Sequence, residues 1–136
     1  MKNFLNLFIC FLKSKKIFSI EKKKFVIFDS TNTDVISKIL PKNETYIISA
    51  RVEKIDKILI NFQMIFFLIS NLFSRSLQLN YFISLINQIN PKFVITTVDN
   101  SINFSILTKH YENKIKFLAL QCATRGGIYE NINNHN

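Results

Sequence analysis

Four short apolar runs punctuate the chain, and each stops at a polar residue. Phe25-Val26-Ile27-Phe28 stops at Asp29, and Tyr46-Ile47-Ile48 stops at Ser49. Phe93 to Val98 stops at Asp99, and Phe117-Leu118-Ala119-Leu120 stops at Gln121. The runs are mostly β-branched or aromatic and lack polar alternation, which is the pattern of parallel strands covered on both faces by helices. They predict strands near 24–29, 45–49, 93–98 and 116–120.

The segments between them carry helical spacing. Val35, Ile36, Ile39 and Leu40 recur at the helical period behind the cap-type run Ser30-Thr31-Asn32-Thr33-Asp34, until Pro41 ends the helix. Ile55 to Phe73 is apolar almost throughout and predicts one long helix. Asp56, Lys57, Asn61, Gln63, Ser70 and Asn71 interrupt it, which favours a buried core helix over a membrane span. In the next stretch Tyr81, Phe82, Leu85, Ile86 and Ile89 fall on one helical face, with Asn80, Ser84, Asn87 and Gln88 on the other. Ile102, Ile106, Leu107 and His110 mark a last short helix, for which Asn113 is a left-handed cap candidate.

Strands alternating with helices predict an α/β fold with a parallel sheet and right-handed crossovers. The first crossover is short and the second carries two helices. Numbering the four strands along the chain, the economical order is 2-1-3-4, with a short helix over residues 4–12 ahead of the sheet. The expected organisation is a basic, apolar helical arm over 1–23, an α/β domain over 24–128 and a disordered polar tail over 129–136.

Composition sharpens this picture. With 136 residues the chain fits one domain, and only two glycines and two prolines argue against an all-β protein rich in tight turns. Residues 1–24 hold seven lysines against Glu21, so they carry six of the nine net positive charges. A basic arm flanking the apolar run Phe4 to Leu12 suits an anionic membrane surface. Lysines follow that run where a signal peptide would need small residues, and its nine positions fall short of a spanning helix. Nucleic-acid binding would rest on net charge alone and is not expected. Cys10 and Cys122 form no disulfide framework, and His110 and His135 lack partner ligands for zinc. A cytoplasmic chain without cofactor is the expectation.

In an open parallel sheet, ligands bind outside the carboxyl ends of the strands where the strand order reverses. Here that point lies between strands 24–29 and 93–98, which end in Asp29 and in Asp99-Asn100. The fourth strand ends beside them in Gln121, followed by Thr124 and Arg125. Paired carboxylates there would orient hydroxyls of a sugar-like ligand, and the planar fork of Arg125 would hold a phosphate or carboxylate. Each aspartate has a duller reading as a helix cap. FDSTNTD stands where a G-x-G-x-x-G loop would follow the first strand, so the usual dinucleotide fold is excluded. No base is placed to activate Cys122.

The stretches KKKFVIFDSTNTDVISKILPK, PKFVITTVDNSINFSILTKHY and KIKFLALQCATRGG resemble bacterial surface-carbohydrate biosynthesis proteins, a group similar to GT-B-type glycosyltransferases and to capsule or teichoic-acid polymerases. The resemblance covers most of residues 15–130. It rests on the order strand–Asp, Pro-Lys–strand–Asp-Asn, strand–Gln-x-x-x-Arg-Gly. Cys122 and Ala123 depart from it, standing where such proteins carry Asn-Gly. The resemblance implies a Rossmann-like, three-layer half-domain on the acceptor side of a transferase. Its partners would be a carbohydrate acceptor and a nucleotide-activated donor, with Asp29, Asp99, Asn100, Gln121, Thr124 and Arg125 as substrate-binding residues. A GT-B enzyme uses a second such domain for its donor, so this chain alone is expected to be incomplete. The rival expectation is a non-catalytic scaffold held at a membrane by residues 1–24.

Overall fold

In the computed structural model the described residues are 11–30, 33–51, 55–98 and 101–120. They form an α/β fold with six strands. These are β1 (Lys15–Ile17), β2 (Phe25–Phe28), β3 (Thr45–Ile48), β4 (Lys57–Leu59), β5 (Phe93–Thr96) and β6 (Lys116–Ala119). The helices are α1 (Thr33–Ile39), α2 (Phe62–Ser70), α3 (Leu77–Ile89) and α4 (Ile102–His110). Four strands make one sheet in the order β3-β2-β5-β6, with every neighbouring pair parallel. β1 and β4 form a separate parallel pair.

The unbroken apolar character of β2 follows from its place inside the sheet. Val26, Ile27 and Phe28 are all fully buried, because alternate residues face different helical layers. On one face Val26, Phe28 and Val94 pack with Phe82, Ile83, Ile86 and Ile89 of α3 and with Phe104 and Leu107 of α4. Phe28 meets Phe82 edge-on at a centroid distance of 5.2 Å. On the other face Ile27 and Ile95 pack against Ile36 of α1, and Phe25 stacks on Phe93 at 5.5 Å.

Local signals set the helix ends. Ser76 caps α3 by accepting from the Leu79 N–H, and Asn90 ends it in the left-handed conformation at φ 51° just before Pro91. Ser101 caps α4 by accepting from the Phe104 N–H. Asn113 has φ 67°, in keeping with a left-handed turn after that helix.

Several expectations need correction. The arm is not helical throughout, since Lys15–Ile17 is a strand whose register sets Lys15 opposite Lys57 and Ile17 opposite Leu59. The helix expected at 4–12 lies almost wholly outside the described residues. The long apolar stretch 55–73 is not one helix. Its first part forms β4, and Asn61 then starts α2 by accepting from the Met64 N–H at 2.8 Å. Pairing of Lys57-Ile58-Leu59 with β1 overrode the helical spacing. Nor is α2 a core helix, because Met64 is its only buried residue. The buried helix is α3, where half of the expected polar face is inside while Asn87 stays exposed. Asn80 and Ser84 are buried, and Asn80 Nδ2 donates to the Asn71 carbonyl at 2.6 Å.

The basic arm is also partly engaged by the domain. Lys23 Nζ reaches Glu21 at 2.6 Å and the Asn43 carbonyl at 2.8 Å, while Lys24 lies 3.9 Å from Glu44. Among the described residues no helix is long and apolar enough to cross a membrane.

Candidate binding crevice at the strand ends

The chain leaves β2 toward β3 on one side and later returns to lay β5 on the other, so the order reverses between β2 and β5. In open parallel sheets this switch point, outside the carboxyl ends of the strands, is where ligands bind. Asp29 stands at the end of β2. Its backbone N–H donates to the Ile48 carbonyl at 2.9 Å, continuing the ladder to β3 by one residue. Its φ of 76° then turns the chain out of the sheet. A left-handed residue with a β-carbon is uncommon, and Asp and Asn are among the few types that tolerate it.

The Asp29 side chain is only 5% exposed, and its Oδ2 accepts from Arg51 Nε at 3.1 Å. Arg51 comes from the segment after β3, three residues beyond Ile48, and its side chain remains 52% exposed. A buried carboxylate thus holds a half-exposed guanidinium at the sheet's carboxyl edge. That arrangement fixes the orientation of the fork and leaves it facing solvent, where phosphates and carboxylates match its planar donors. At the end of β5, the buried Thr96 accepts through Oγ1 from the Val98 N–H at 3.1 Å, closing a side-chain turn.

Of the residues named from the sequence, Asp29 is the one described, and it stands at the end of β2 beside the switch point. Asp99, Asn100, Gln121, Thr124 and Arg125 lie outside the described residues. Arg51 escaped the sequence reading. Its signal was present in Thr45-Tyr46-Ile47-Ile48-Ser49-Ala50-Arg51, a cation just past the strand expected beside the one ending in Asp29.

A second concavity of about 260 Å³ runs along the outer edge of β3 toward β4, lined by Thr45, Tyr46, Ser49, Asp56, Lys57 and Tyr81 among others. Burial pushes the Tyr46 phenol up to about 12, helped by the neighbouring Tyr81 and Asp56. Burial likewise raises Tyr81, opposed by the Leu59 N–H that donates to its hydroxyl at 3.0 Å. Both phenols therefore stay protonated at neutral pH. Among the described residues no group of three His, Cys, Asp or Glu is arranged to hold a metal ion.

The chain matches no protein family, no curated protein and no solved structure. What the fold and crevice define is an α/β protein with a parallel sheet and a carboxylate–guanidinium pair at its carboxyl edge.

Proposed function

We propose that the chain is a Rossmann-like, acceptor-side half-domain of a GT-B-like transferase in surface-polysaccharide biosynthesis, working at the cytoplasmic face of a membrane. The observation that carries this reading is the buried Asp29 holding Arg51 where the strand order reverses. The order β3-β2-β5-β6, with helices on both faces, supports the Rossmann-like description. In this reading Arg51 takes the phosphate of an acceptor or of a sugar phosphate. Asp29, Asp99 and Asn100 accept from or donate to its hydroxyls, and Gln121, Thr124 and Arg125 are further binding residues. The nucleotide-activated donor is held by another domain.

Incorporation of labelled sugar or polyol phosphate by the assembled transferase tests this. Asp99→Asn is expected to lower turnover by at least roughly a hundredfold, the low end for a lost acid–base group. Unaltered turnover with unaltered melting would leave Asp99 without a part in the reaction, since Ser101 already caps α4. A second reading, a non-catalytic scaffold at the membrane, is favoured by one observation, the large apolar surface that α2 exposes.

A further inference from the structure

The outward face of α2 is apolar. Phe62 is 82% exposed, Phe66 64%, Ile69 68% and Phe73, in the turn after the helix, 98%. Ile65 and Leu72 add to the same surface. The spacing 62, 65, 66, 69, 72, 73 keeps these residues on one side of the helix and its following turn. A surface helix ordinarily keeps its large apolar residues inward, whereas α2 exposes several of them beside Gln63 and Ser70. Phe62 and Phe66 lie against each other on the outside at 6.3 Å. The exposed Phe18 follows Ile17, whose carbonyl accepts from the Ile60 N–H, so it extends the apolar surface beside the start of α2.

The charges around this surface are mostly positive, with Asp56, just before Lys57, as the exception. From Lys57 to Val98 the sequence contains no Asp or Glu, while Lys57 and Arg75 flank α2. Lys15 sits opposite Lys57 in the β1–β4 register, and Lys13 is exposed just ahead of it. Two copies packed face to face would set these cations against each other, whereas an anionic surface would neutralise them. With nine residues, α2 is far too short to cross a bilayer but suited to lie in its interface.

We propose that Phe62 to Phe73 form a membrane-docking face that lies in the headgroup region of an anionic bilayer, with Lys13, Lys15, Lys57 and Arg75 as its electrostatic rim. The proposal rests on the membrane-peripheral part of the reading above and moves the apolar anchor from the first residues of the chain to α2. Docking would hold the crevice at a fixed height over a lipid surface.

The sequence has no tryptophan, so Phe66→Trp places a single indole on this face. The full-length chain is mixed with vesicles of phosphatidylcholine and phosphatidylglycerol, with phosphatidylcholine alone as the reference. The Phe66→Trp indole is expected to shift to the blue and to be quenched by brominated acyl chains. Phe62→Glu/Phe66→Glu is expected to lower partitioning by at least about a hundredfold with unchanged circular dichroism, from the transfer free energy of two phenyl groups. Lys13→Gln/Lys15→Gln should weaken binding only at low salt, where screening is slight. If the chain binds vesicles while the indole stays unquenched and the glutamate variant binds as the parent does, α2 is not the anchor, although the peripheral reading stands. If the full chain binds neither vesicle, both fall. Dimerisation abolished by Phe62→Glu/Phe66→Glu, without vesicle binding, would overturn the proposal in favour of a second copy.

Discussion

Replacing Asp29 separates what its backbone needs from what its carboxylate does. At φ 76° a residue with a β-carbon costs roughly 1–2 kcal/mol relative to the right-handed region, less for Asp and Asn and nothing for Gly. The ion pair to Arg51 is 3.1 Å long, but its cation is half-exposed, so screening limits it to about 1 kcal/mol or less. Asp29→Asn keeps the tolerance for positive φ and removes the charge, so it should lose about 1 kcal/mol. In Asp29→Gly the backbone relief offsets most of the lost contact. Asp29→Ala loses the contact and keeps the backbone cost, and should fall about 1 kcal/mol or more below the glycine variant. For a domain of this size 1 kcal/mol is roughly 3–5 °C in melting temperature. Urea denaturation at pH 7 reads all three variants on one scale. Equal losses for glycine and alanine would refute the backbone reasoning. A loss above about 3 kcal/mol in Asp29→Asn would show a structural buried carboxylate rather than a group available to a ligand.

Two further outcomes follow from the same geometry. Asn61→Ala removes both the cap on the Met64 N–H and the 2.7 Å bond from Nδ2 to Gln88 Oε1, and should cost about 1–2 kcal/mol by urea denaturation. An unchanged midpoint would mean that α2 does not depend on its cap. The tyrosines set the alkaline limit. Burial raises Tyr46 to about 12, and raises Tyr81 and Tyr111 as well, above the value of 10 for an unfolded phenol. Above pH 10 the unfolded chain loses protons that the folded chain retains, so stability present below pH 10 is lost as pH rises toward 12. Absorbance at 295 nm should show these phenols ionising only as the fold is lost, and free titration of all four tyrosines near pH 10 would contradict it.

The sheet was legible because its four runs are apolar without polar alternation. Burial under helices on each side imposes that pattern on the central strands β2 and β5, while β3 and β6 are more exposed. Phe28, between Phe82 and Phe104, and Ile27, against Ile36 and Ile95, show both faces occupied. The stretch 55–73 was misread because Ile58, Leu59 and Ile60 satisfy a strand and a helix equally in sequence. Pairing with Lys15–Ile17, more than 40 residues away, decided between them. Exposure on α2 was hidden for a similar reason. An apolar helix reads as a core helix until the packing shows that Met64 alone is fully covered, with Phe67 and Leu68 partly so. At the crevice, Asp29 was legible from its place after the first strand. Arg51 became visible only once the β2–β3 register brought the end of one strand beside the other.

The crevice itself is tested most directly by titrating the full-length, isotope-labelled chain with glycerol 3-phosphate and glucose 1-phosphate while following backbone amide shifts. Shifts are expected to concentrate at Asp29, Ser30, Arg51 and Thr96 to Val98, with both ligands competing for the site. Arg51→Gln should abolish them while leaving the rest of the spectrum in place. Shifts confined to Tyr46, Asp56 and Tyr81 in the concavity beside β3, or no saturable shifts at all, would contradict a phosphate-bearing carbohydrate ligand at the strand ends.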